Sequence, residues 1–298
     1  MRPCFIVNPT AGHGRALQTW RKVEALAQAA GEYGIKITKH SRHGEALARE
    51  AVAEGYDRVI VLGGDGTVNE VIQGLIHTEV PLAVIPTGTG NDWVRTAGVP
   101  RDIEKAFAIA YHGQIARHDV GLIHGQRYFM NIAGVGFDAE ASRFLNDNAK
   151  LLKVVPGTLP TLLSIVGTLF RFRGAPMTCI IDGEPVAVPK LFLMAVGLNQ
   201  YYGGGMQILP QAIPDDGYFD LAWADELPLS ALPGLMAKIY KGQHLDHPKV
   251  QTRRAKRVRI ESAQPVAYHL DGDVAGTTPV EFELIPQALS VMLPAKNR

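Results

Sequence analysis

One acidic residue lies among three glycines where an apolar run gives way to a helical pattern, in 58-RVIVLGGDGTVNEV-71. Asp65 follows the predicted strand directly and precedes the predicted helix. Helix N-termini at such turns present free N–H groups and a partial positive charge, which suits phosphate. A carboxylate there would repel phosphate unless a hard cation such as Mg²⁺ lay between them. The turn therefore indicates a magnesium-bridged phosphate site.

A simpler interpretation of this turn stays open, in which Asp65 caps the helix that starts near Val68 and the glycines only turn the chain. The neighbouring segment 86-PTGTGND-92 is a second glycine turn with acids and hydroxyls. Two such turns side by side favour the phosphate site. Neither turn contains a Walker A sequence or the pattern G-x-G-x-x-G.

A second acidic group ends a strand pattern in 266-VAYHLDGDVAG-276, which contains Asp271-Gly272-Asp273. Phosphoryl transfer requires a positioned acceptor hydroxyl and a group that accepts its proton, and a carboxylate can do this. The alternative is an ordinary hairpin, because Asp-Gly is a common hairpin turn. The pair 182-DG-183 is interpreted as such a hairpin turn.

The elements that must position these turns change type along the chain. The first ~120 residues alternate strand-like and helix-like segments, which predicts βαβ units and a parallel sheet. After about Asp119 the strand patterns pair around turns, which predicts an antiparallel sandwich or open barrel. Residues 1–122 are thus predicted as an α/β domain and residues 123–298 as a β domain. The last strand, 288-ALSVML-293, is left free to join either.

The composition is that of an ordinary globular protein, with 46% hydrophobic residues and a formal net charge of +1. This charge gives no electrostatic signature for nucleic acid, and no nucleic-acid partner is expected. Cys4 and Cys179 have no disulfide or metal spacing, which fits a cytoplasmic protein. No signal peptide is recognised, and the apolar stretch 154–170 is too short to span a bilayer.

GGDGTVNEV followed by PTGTGND resembles the diacylglycerol kinase catalytic-domain family, in particular the soluble bacterial lipid kinases. NPTAGHGR near the start, 203-GGGMQILPQAIPDDGYFD-220 and 271-DGD-273 extend the resemblance over nearly the whole chain. The resemblance implies an N-terminal α/β nucleotide-binding domain like those of phosphofructokinase and NAD kinase, joined to a C-terminal antiparallel β-sandwich. It also implies a kinase that uses ATP and Mg²⁺ and phosphorylates a lipid hydroxyl, with diacylglycerol as first choice.

Carried over residue by residue, the resemblance places the nucleotide and its Mg²⁺ on Asn8, Gly12, Gly14, Gly63, Gly64, Asp65, Gly66, Thr67, Asn69, Glu70, Gly88, Thr89, Asn91 and Asp92. Catalysis is assigned to Asp65 and to Asp271 as the general base. Asp273 replaces the glutamate usual in the family, and His40 replaces a usual threonine, for which Thr38 or Ser41 could substitute.

A second Mg²⁺, away from the chemistry, is implied at Asp216 and the carbonyls of Ile213 and Tyr218. An exposed acidic turn is the alternative there.

The lipid and its surface are less defined by the sequence. The run 148–174 is apolar between the cations Lys150, Lys153, Arg171 and Arg173, and either lines a lipid cleft, contacts an anionic bilayer or packs on the sandwich, with packing favoured. We expect peripheral membrane contact and leave the acceptor lipid open, together with the oligomeric state, for which a homodimer is one alternative. The alternative functions are an NAD kinase-like enzyme and a non-catalytic nucleotide- or lipid-binding regulator.

Overall fold

The structure is a computed structural model of the chain, and it describes residues 1–12, 14–148, 159–172, 174–225 and 227–295. The first half of the predicted segment 148–174 therefore lies largely outside the described residues, and so do Lys150, Lys153 and Arg173. None of the described helices is both long enough and apolar enough to cross a membrane.

The N-terminal part alternates strands and helices, as the sequence predicts. Its elements are β1 (Pro3–Val7), α1 (Arg15–Ala30), β2 (Gly34–Ile37), α2 (His43–Ala53), β3 (Arg58–Gly63), α3 (Asp65–Leu75), β4 (Leu82–Pro86), α4 (Asp92–Thr96) and α5 (Ile103–His112). Strands β4, β3, β1 and β2 pair in parallel in that order. The strand β3 is almost wholly buried, which explains its continuous apolar sequence.

The C-terminal part is mainly antiparallel. Its elements are β5 (Gln114–Ile123), β6 (Arg127–Phe129), β7 (Ile132–Gly136), α6 (Phe137–Asp147), α7 (Leu159–Arg171), β8 (Ala175–Ile181), β9 (Glu184–Gly197), β10 (Phe219–Asp225), a 3₁₀ turn (Leu229–Ala231), α8 (Leu232–Ile239), β11 (Val250–Ala255), β12 (Arg257–Ser262), β13 (Ala267–Leu270), β14 (Asp273–Thr277) and β15 (Val280–Leu293). The α/β domain with parallel strands and the β-sandwich domain predicted from the sequence are both present.

The long final strand connects the two parts. The first half of β15 pairs with β12 and β5, and its second half pairs with β5 and, at Val291, in parallel with Leu82 of β4. The hydrogen-bonded order is therefore continuous from β14 at one edge to β2 at the other. The division at residues 122 and 123 stays a prediction.

Each part has its own core. Helix α3 buries Val68, Val71, Ile72 and Leu75, the i, i+3, i+4, i+7 stripe of an amphipathic helix, against the parallel strands. Phe129, Phe219 and Phe282 are fully buried between the sandwich strands. Burying such a side chain contributes about 1.5–3 kcal/mol, so these cores stabilise both frameworks.

Several elements differ from the sequence prediction. The predicted last strand, 288–293, is the second half of the longer β15, and the short helix α4 was not predicted. Helix α3 begins at Asp65 rather than near Val68, because Gly64 in extended conformation is its N-cap residue. Helix α6 was not predicted. Its buried residues are Phe137, Ala139 and Ala141, and two small side chains give a weak periodic signal.

Candidate active site

The GGDGT turn joins β3 to α3. No side chain caps α3, and the amide of Val68 is the first to bond within the helix, to the carbonyl oxygen of Gly64 (3.1 Å). The preceding amides have no helical acceptor and face the turn. The backbones of Gly64 and Gly88 approach so closely that a Cβ on Gly88 would lie 2.4 Å from the Cα of Gly64. This contact between the two turns requires glycine.

Asp65 ties these two turns together. Its Oδ2 accepts the backbone N–H of Asn91 (2.7 Å), and its Oδ1 accepts that of Asp92 (2.9 Å). It therefore serves the start of α4 and does not cap its own helix. Because a carboxylate oxygen has two lone pairs, each oxygen of Asp65 can still accept another partner.

The PTGTGND turn is held by its own polar side chains. Asn91 has φ 52° and bonds to Gly88 twice, since its Oδ1 accepts the Gly88 N–H (3.1 Å) and its Nδ2 donates to the Gly88 carbonyl (2.7 Å). Asp92 is buried and accepts the N–H of Gly204 through Oδ2 (2.8 Å). Burial, with the charge of Asp65 nearby, raises the pKa of the Asp92 carboxyl above its usual value.

The loop after β1 lies against the two glycine turns. Asn8 Nδ2 donates to Thr67 Oγ1 (2.8 Å), and a Cβ on Gly12 would lie 2.1 Å from the carbonyl oxygen of Thr87. A polar cavity of about 630 Å³ lies between this loop, the segment after β2 and the two glycine turns. The predicted nucleotide contacts that line it are Asn8, Gly12, Gly64, Gly66, Thr67, Glu70, Gly88 and Thr89. Thr38, His40 and Ser41 also line it.

The remaining predicted contacts are not among the described residues that line this cavity: Gly14, Gly63, Asp65, Asn69, Asn91 and Asp92. Asp65 and Asn91 instead form the hydrogen bonds within and between the two glycine turns. A Cβ on Gly63 would meet the Thr67 side chain at 2.6 Å. Glu70 does line the cavity, but its two carboxylate oxygens accept the amides of Arg42 (2.7 Å) and Gly44 (3.0 Å).

Asp271 lies between β13 and β14 in a left-handed conformation, with φ 50°. Its Oδ1 accepts the amides of Asn131 (3.1 Å) and Ile132 (2.9 Å), and its Oδ2 accepts the Asn69 side-chain amide (2.6 Å). Burial raises the pKa of Asp271 to about 6, although the Asn69 bond acts in the opposite direction. Asn69 belongs to the GGDGT helix, so Asp271 joins the second acidic turn to the first.

Asp273 is the more exposed acid of this turn. A Cβ on Gly66 would lie 3.9 Å from its Oδ2, so the carboxylate faces the GGDGT turn directly. Partial desolvation of the carboxylate by its neighbours raises the pKa of Asp273, and the charge of Arg127 acts in the opposite direction. The two acidic segments singled out in the sequence therefore meet, and the Asn69–Asp271 bond joins residues 202 positions apart.

Two groups beside this turn were missed by the sequence analysis. His269 Nε2 bonds to Asp138 Oδ2 (3.1 Å), and its Nδ1 accepts the Gly272 amide (3.2 Å), which fixes the turn from behind. Arg127 donates to Asn69 Oδ1 (3.1 Å). Neither lies in a glycine motif, and only the position of His269 on the strand before Asp271 was a signal.

A second cavity is apolar, with a volume of about 390 Å³, and lies between α6, α7, α8 and the sheet. Its apolar walls include Phe137, Ala141, Leu145, Ile165, Phe192, Leu193, Ile208, Ala222, Leu235 and Ile239. Thr89 and Gly90 of one turn and Gly272 of the other also line it. Because Thr89 lines the polar cavity too, the two cavities adjoin at the acidic turns.

Asp216, the predicted site of a second Mg²⁺, is already paired. Its Oδ1 accepts the Tyr218 amide (3.2 Å), and its Oδ2 accepts the guanidinium of Arg254. Arg254 also lies over the Tyr218 ring, 4.5 Å from the ring centre. A cation therefore already neutralises Asp216, and the metal site stays a prediction.

Within the described ranges, no three His, Cys, Asp or Glu side chains form a group that could hold a metal ion. A magnesium ion at Asp65 or Asp216 would thus need phosphate, carbonyl or water oxygens as further ligands, which is its usual preference.

The chain matches two protein families along most of its length. The diacylglycerol kinase catalytic domain matches residues 2–123, and the YegS C-terminal, NAD kinase beta-sandwich-like domain matches residues 131–293. The two matches correspond to the two parts described above.

Individual proteins agree with these matches. A diacylglycerol kinase of Mycobacterium tuberculosis is 34% identical over 295 residues, which cover 97% of this chain and 94% of that protein. One of Bacillus subtilis is 31% identical over 300 residues, covering 99% and 97%. A crystal structure of a diacylglycerol kinase from Bacillus anthracis has a TM-score of 0.75 at 26% identity, covering 98% and 96%. The chain therefore belongs to the diacylglycerol kinase family and is a phosphotransferase that acts on an alcohol group.

Proposed function

We propose that this protein is an ATP- and Mg²⁺-dependent lipid kinase that transfers the γ-phosphoryl group of ATP to the hydroxyl of a membrane lipid. Diacylglycerol is the first candidate acceptor, with phosphatidic acid as the product. The observation that carries the proposal is that the polar and the apolar cavity adjoin at Thr89, beside both acidic turns. A phosphate donor and an apolar alcohol can therefore meet at one point.

The polar cavity supports the nucleotide half of the proposal. Four glycines, Gly12, Gly64, Gly66 and Gly88, are among the residues that line it, and the free amides at the start of α3 suit phosphate oxygens. Asp65 lies behind the cavity lining, between Gly64 and Gly66, and would hold the Mg²⁺ through the lone pairs that its two oxygens still have. When bound, Mg²⁺ would neutralise the charge on the phosphates. Asn8 and Thr67, bonded to each other, would orient them.

The apolar cavity supports the lipid half. Its volume of about 390 Å³ and its aliphatic and aromatic walls suit an acyl chain and exclude water. With the chain in this cavity, the lipid hydroxyl would lie near Gly272 and Thr89, where the turns meet. Binding energy from the apolar chain would then position the hydroxyl for transfer.

Two carboxylates compete for the role of proton acceptor. Asp271 has a pKa of about 6, but both of its oxygens already accept N–H groups. Asp273 is exposed and faces Gly66, so an incoming hydroxyl can reach it. We assign the proton to Asp273 as the better placed acid, and the base role of Asp271 stays a prediction that mutation can separate.

Access from a membrane is part of the proposal. Helix α7 exposes Leu163 (42%) and Val166 (43%), whereas Ile165 on the same helix lines the apolar cavity. An apolar helix face beside the cavity would let a cytoplasmic protein contact the bilayer and take its substrate from it.

The decisive experiment is incubation of the protein with γ-³²P-ATP, Mg²⁺ and detergent-dispersed lipids, followed by separation of the labelled products. We expect label in phosphatidic acid when diacylglycerol is present and no label without Mg²⁺. Label in NADP⁺ with NAD⁺ as acceptor would favour an NAD kinase-like enzyme instead. ATP binding without a labelled product from any lipid in a total extract would favour a regulator.

A further inference from the structure

The two acidic turns are linked through a residue that lies outside every motif. Arg127 is on β6, within the segment 124–130 that neither family match covers. Its Nη2 donates to Asn69 Oδ1 (3.1 Å), and Asn69 Nδ2 donates to Asp271 Oδ2 (2.6 Å). Guanidinium, amide and carboxylate thus form a hydrogen-bonded chain that runs from β6 through Asn69 of α3 to the DGD turn.

The order of these partners decides which way the Asn69 amide points. A guanidinium group has only donors, so the amide must turn its oxygen toward Arg127. Its NH₂ group then faces the carboxylate of Asp271, which accepts. With the amide reversed, two oxygens would lie 2.6 Å apart without a proton between them.

We propose that Arg127 is a positioning residue, which orients Asn69 and through it holds the Asp271-Gly272-Asp273 turn against the GGDGT helix. The proposal rests on the function proposed above, since it assigns a role in that reaction. It extends that function to a residue that touches neither glycine turn.

The backbone beside Arg127 is hydrogen-bonded to α3 through Gln73. Gln73 lies one helical turn after Asn69, and its Oε1 accepts the amide of Tyr128 (3.0 Å). Its Nε2 donates to the carbonyl of Tyr128 (2.8 Å) and to that of Asn69 (2.9 Å). The strand that carries Arg127 is therefore bonded to the helix that carries Asn69, and both ends of the Arg127–Asn69 bond are pre-positioned.

Arg127 also contributes charge at the other acid of the turn. The charged groups that act on Asp273 are Arg127, Glu70 and His269, and Arg127 stabilises the carboxylate form. One side chain thus supports both acids, Asp273 by its charge and Asp271 through Asn69.

The test is a double-mutant cycle on turnover. We expect Arg127→Met to lower kcat about 10- to 100-fold, the loss typical of one charged hydrogen bond, with the KM for MgATP little changed. Arg127→Lys should recover part of the rate, because it keeps the charge and a donor. In an Asn69→Ala background, Arg127→Met should add only the smaller loss that comes from its charge at Asp273, since its hydrogen bond acts through Asn69.

A matched control is Arg117→Met. Arg117 is a partly exposed arginine on the neighbouring β5 and pairs with Glu79, away from both turns. It should keep its kcat within about twofold, as is usual for surface substitutions. The proposal is overturned if Arg127→Met behaves like this control, or if its loss of kcat multiplies fully with that of Asn69→Ala.

A readout without turnover separates this proposal from the function itself. The Asn69 side-chain amide protons should give dispersed ¹H–¹⁵N signals in the wild type and in Arg127→Lys, identified by their loss in Asn69→Ala. In Arg127→Met they should move toward the positions of free amides, and unchanged signals would refute the relay. A wild-type protein that phosphorylates no lipid would refute the proposed function, and these signals would still decide the role of Arg127.

Discussion

Two Asp-Gly turns of this protein share a sequence and a backbone shape but differ in their surroundings. Asp182-Gly183 joins β8 to β9 with φ angles of 49° and 88°, and Asp271-Gly272 joins β13 to β14 with 50° and 94°. Each aspartate accepts backbone amides from a neighbouring segment, those of Lys256 and Arg257 in the case of Asp182. Asp182 is exposed, whereas Asp271 is fixed against a helix of the other domain.

The difference shows that an aspartate in such a turn can accept backbone amides for a purely structural reason. These hydrogen bonds alone therefore do not indicate a catalytic role. Asp271 gains significance from Asn69, Asp273 and the nearby glycine turn, all supplied by tertiary structure. Asp182 has none of these neighbours among the described contacts. It is therefore a matched control for every acid of the candidate site.

The largest expected effect is that of Asp65→Ala. It removes the acceptor of two amides and the proposed Mg²⁺ ligand, so we expect kcat to fall by about a thousandfold or more. Two unpaired amides should also lower the stability by about 1–3 kcal/mol each. Asp182→Ala should show a stability loss of the same kind with an unchanged kcat. Equal turnover in the two variants would show that Asp65, like Asp182, has only a structural role.

Next is Asp273→Asn, which keeps the size of the side chain and removes its basicity. Loss of a general base typically costs about 10²–10⁴ in rate, and we expect kcat to fall in this range while the melting temperature stays constant. Asp271→Asn should lower both, because its carboxylate accepts amides that an asparagine cannot all satisfy. If only Asp271→Asn loses turnover, the base is Asp271.

The Asp271 turn should also show a dependence of stability on pH. Burial raises the pKa of Asp271 to about 6, above the value of an unfolded aspartate, so the folded chain binds the proton more tightly. The corresponding stability is present below about pH 4 and is lost as the pH rises through about 6. Asp271→Asn should therefore be more destabilising at pH 4 than at pH 7. Urea unfolding at both values measures this, and a constant difference would argue against the shift.

A smaller effect is expected from filling the apolar cavity. Ala141→Phe places an aromatic ring on the cavity wall, and overpacking of this kind costs about 1–3 kcal/mol. We expect kcat/KM for long-chain diacylglycerol to fall about tenfold, with short-chain substrates less affected and the KM for ATP unchanged. Ala53→Phe at the exposed end of α2 is the control. An equal loss for ATP would show that the lipid does not use this cavity.

The smallest effect concerns the proposed magnesium at Asp216. Arg254 already neutralises this carboxylate, so chelation should lower the melting temperature of the wild type by only about 1–2 °C. The shift should vanish in Asp216→Asn and grow in Arg254→Gln, which frees the carboxylate. A shift that persists in Asp216→Asn would place the metal elsewhere.

Local patterns were sufficient for the framework of the first domain. Three features depend only on residues close together in the chain, and the sequence therefore predicts them. They are the apolar run before Gly63, the apolar stripe on α3 and the glycines of both turns. The start of α3 was predicted three residues late, because Gly64 caps by backbone conformation and carries no side-chain signal.

Contacts across the molecule had no such signal. The hairpin prediction at 182-DG-183 and the acidic turn at 271-DG-272 rest on the same two letters, and only the resemblance to a family separated them. Arg127, His269 and Asp138 lie outside the motifs and support the Asp271-Gly272-Asp273 turn through hydrogen bonds. Their roles follow from packing between strands that are distant in sequence.

The sequence alone thus determined the alternating order of the first domain, the positions of the two glycine-rich turns and the family of the chain, since periodicity and short motifs are local properties. The tertiary structure alone decided that Asn69 meets Asp271 across 202 positions, that Asp273 is more exposed than Asp271, and that the apolar cavity adjoins the polar one at Thr89. The physical reason is that β15 and the docking of the two cores bring these groups together, and no local pattern records such a contact.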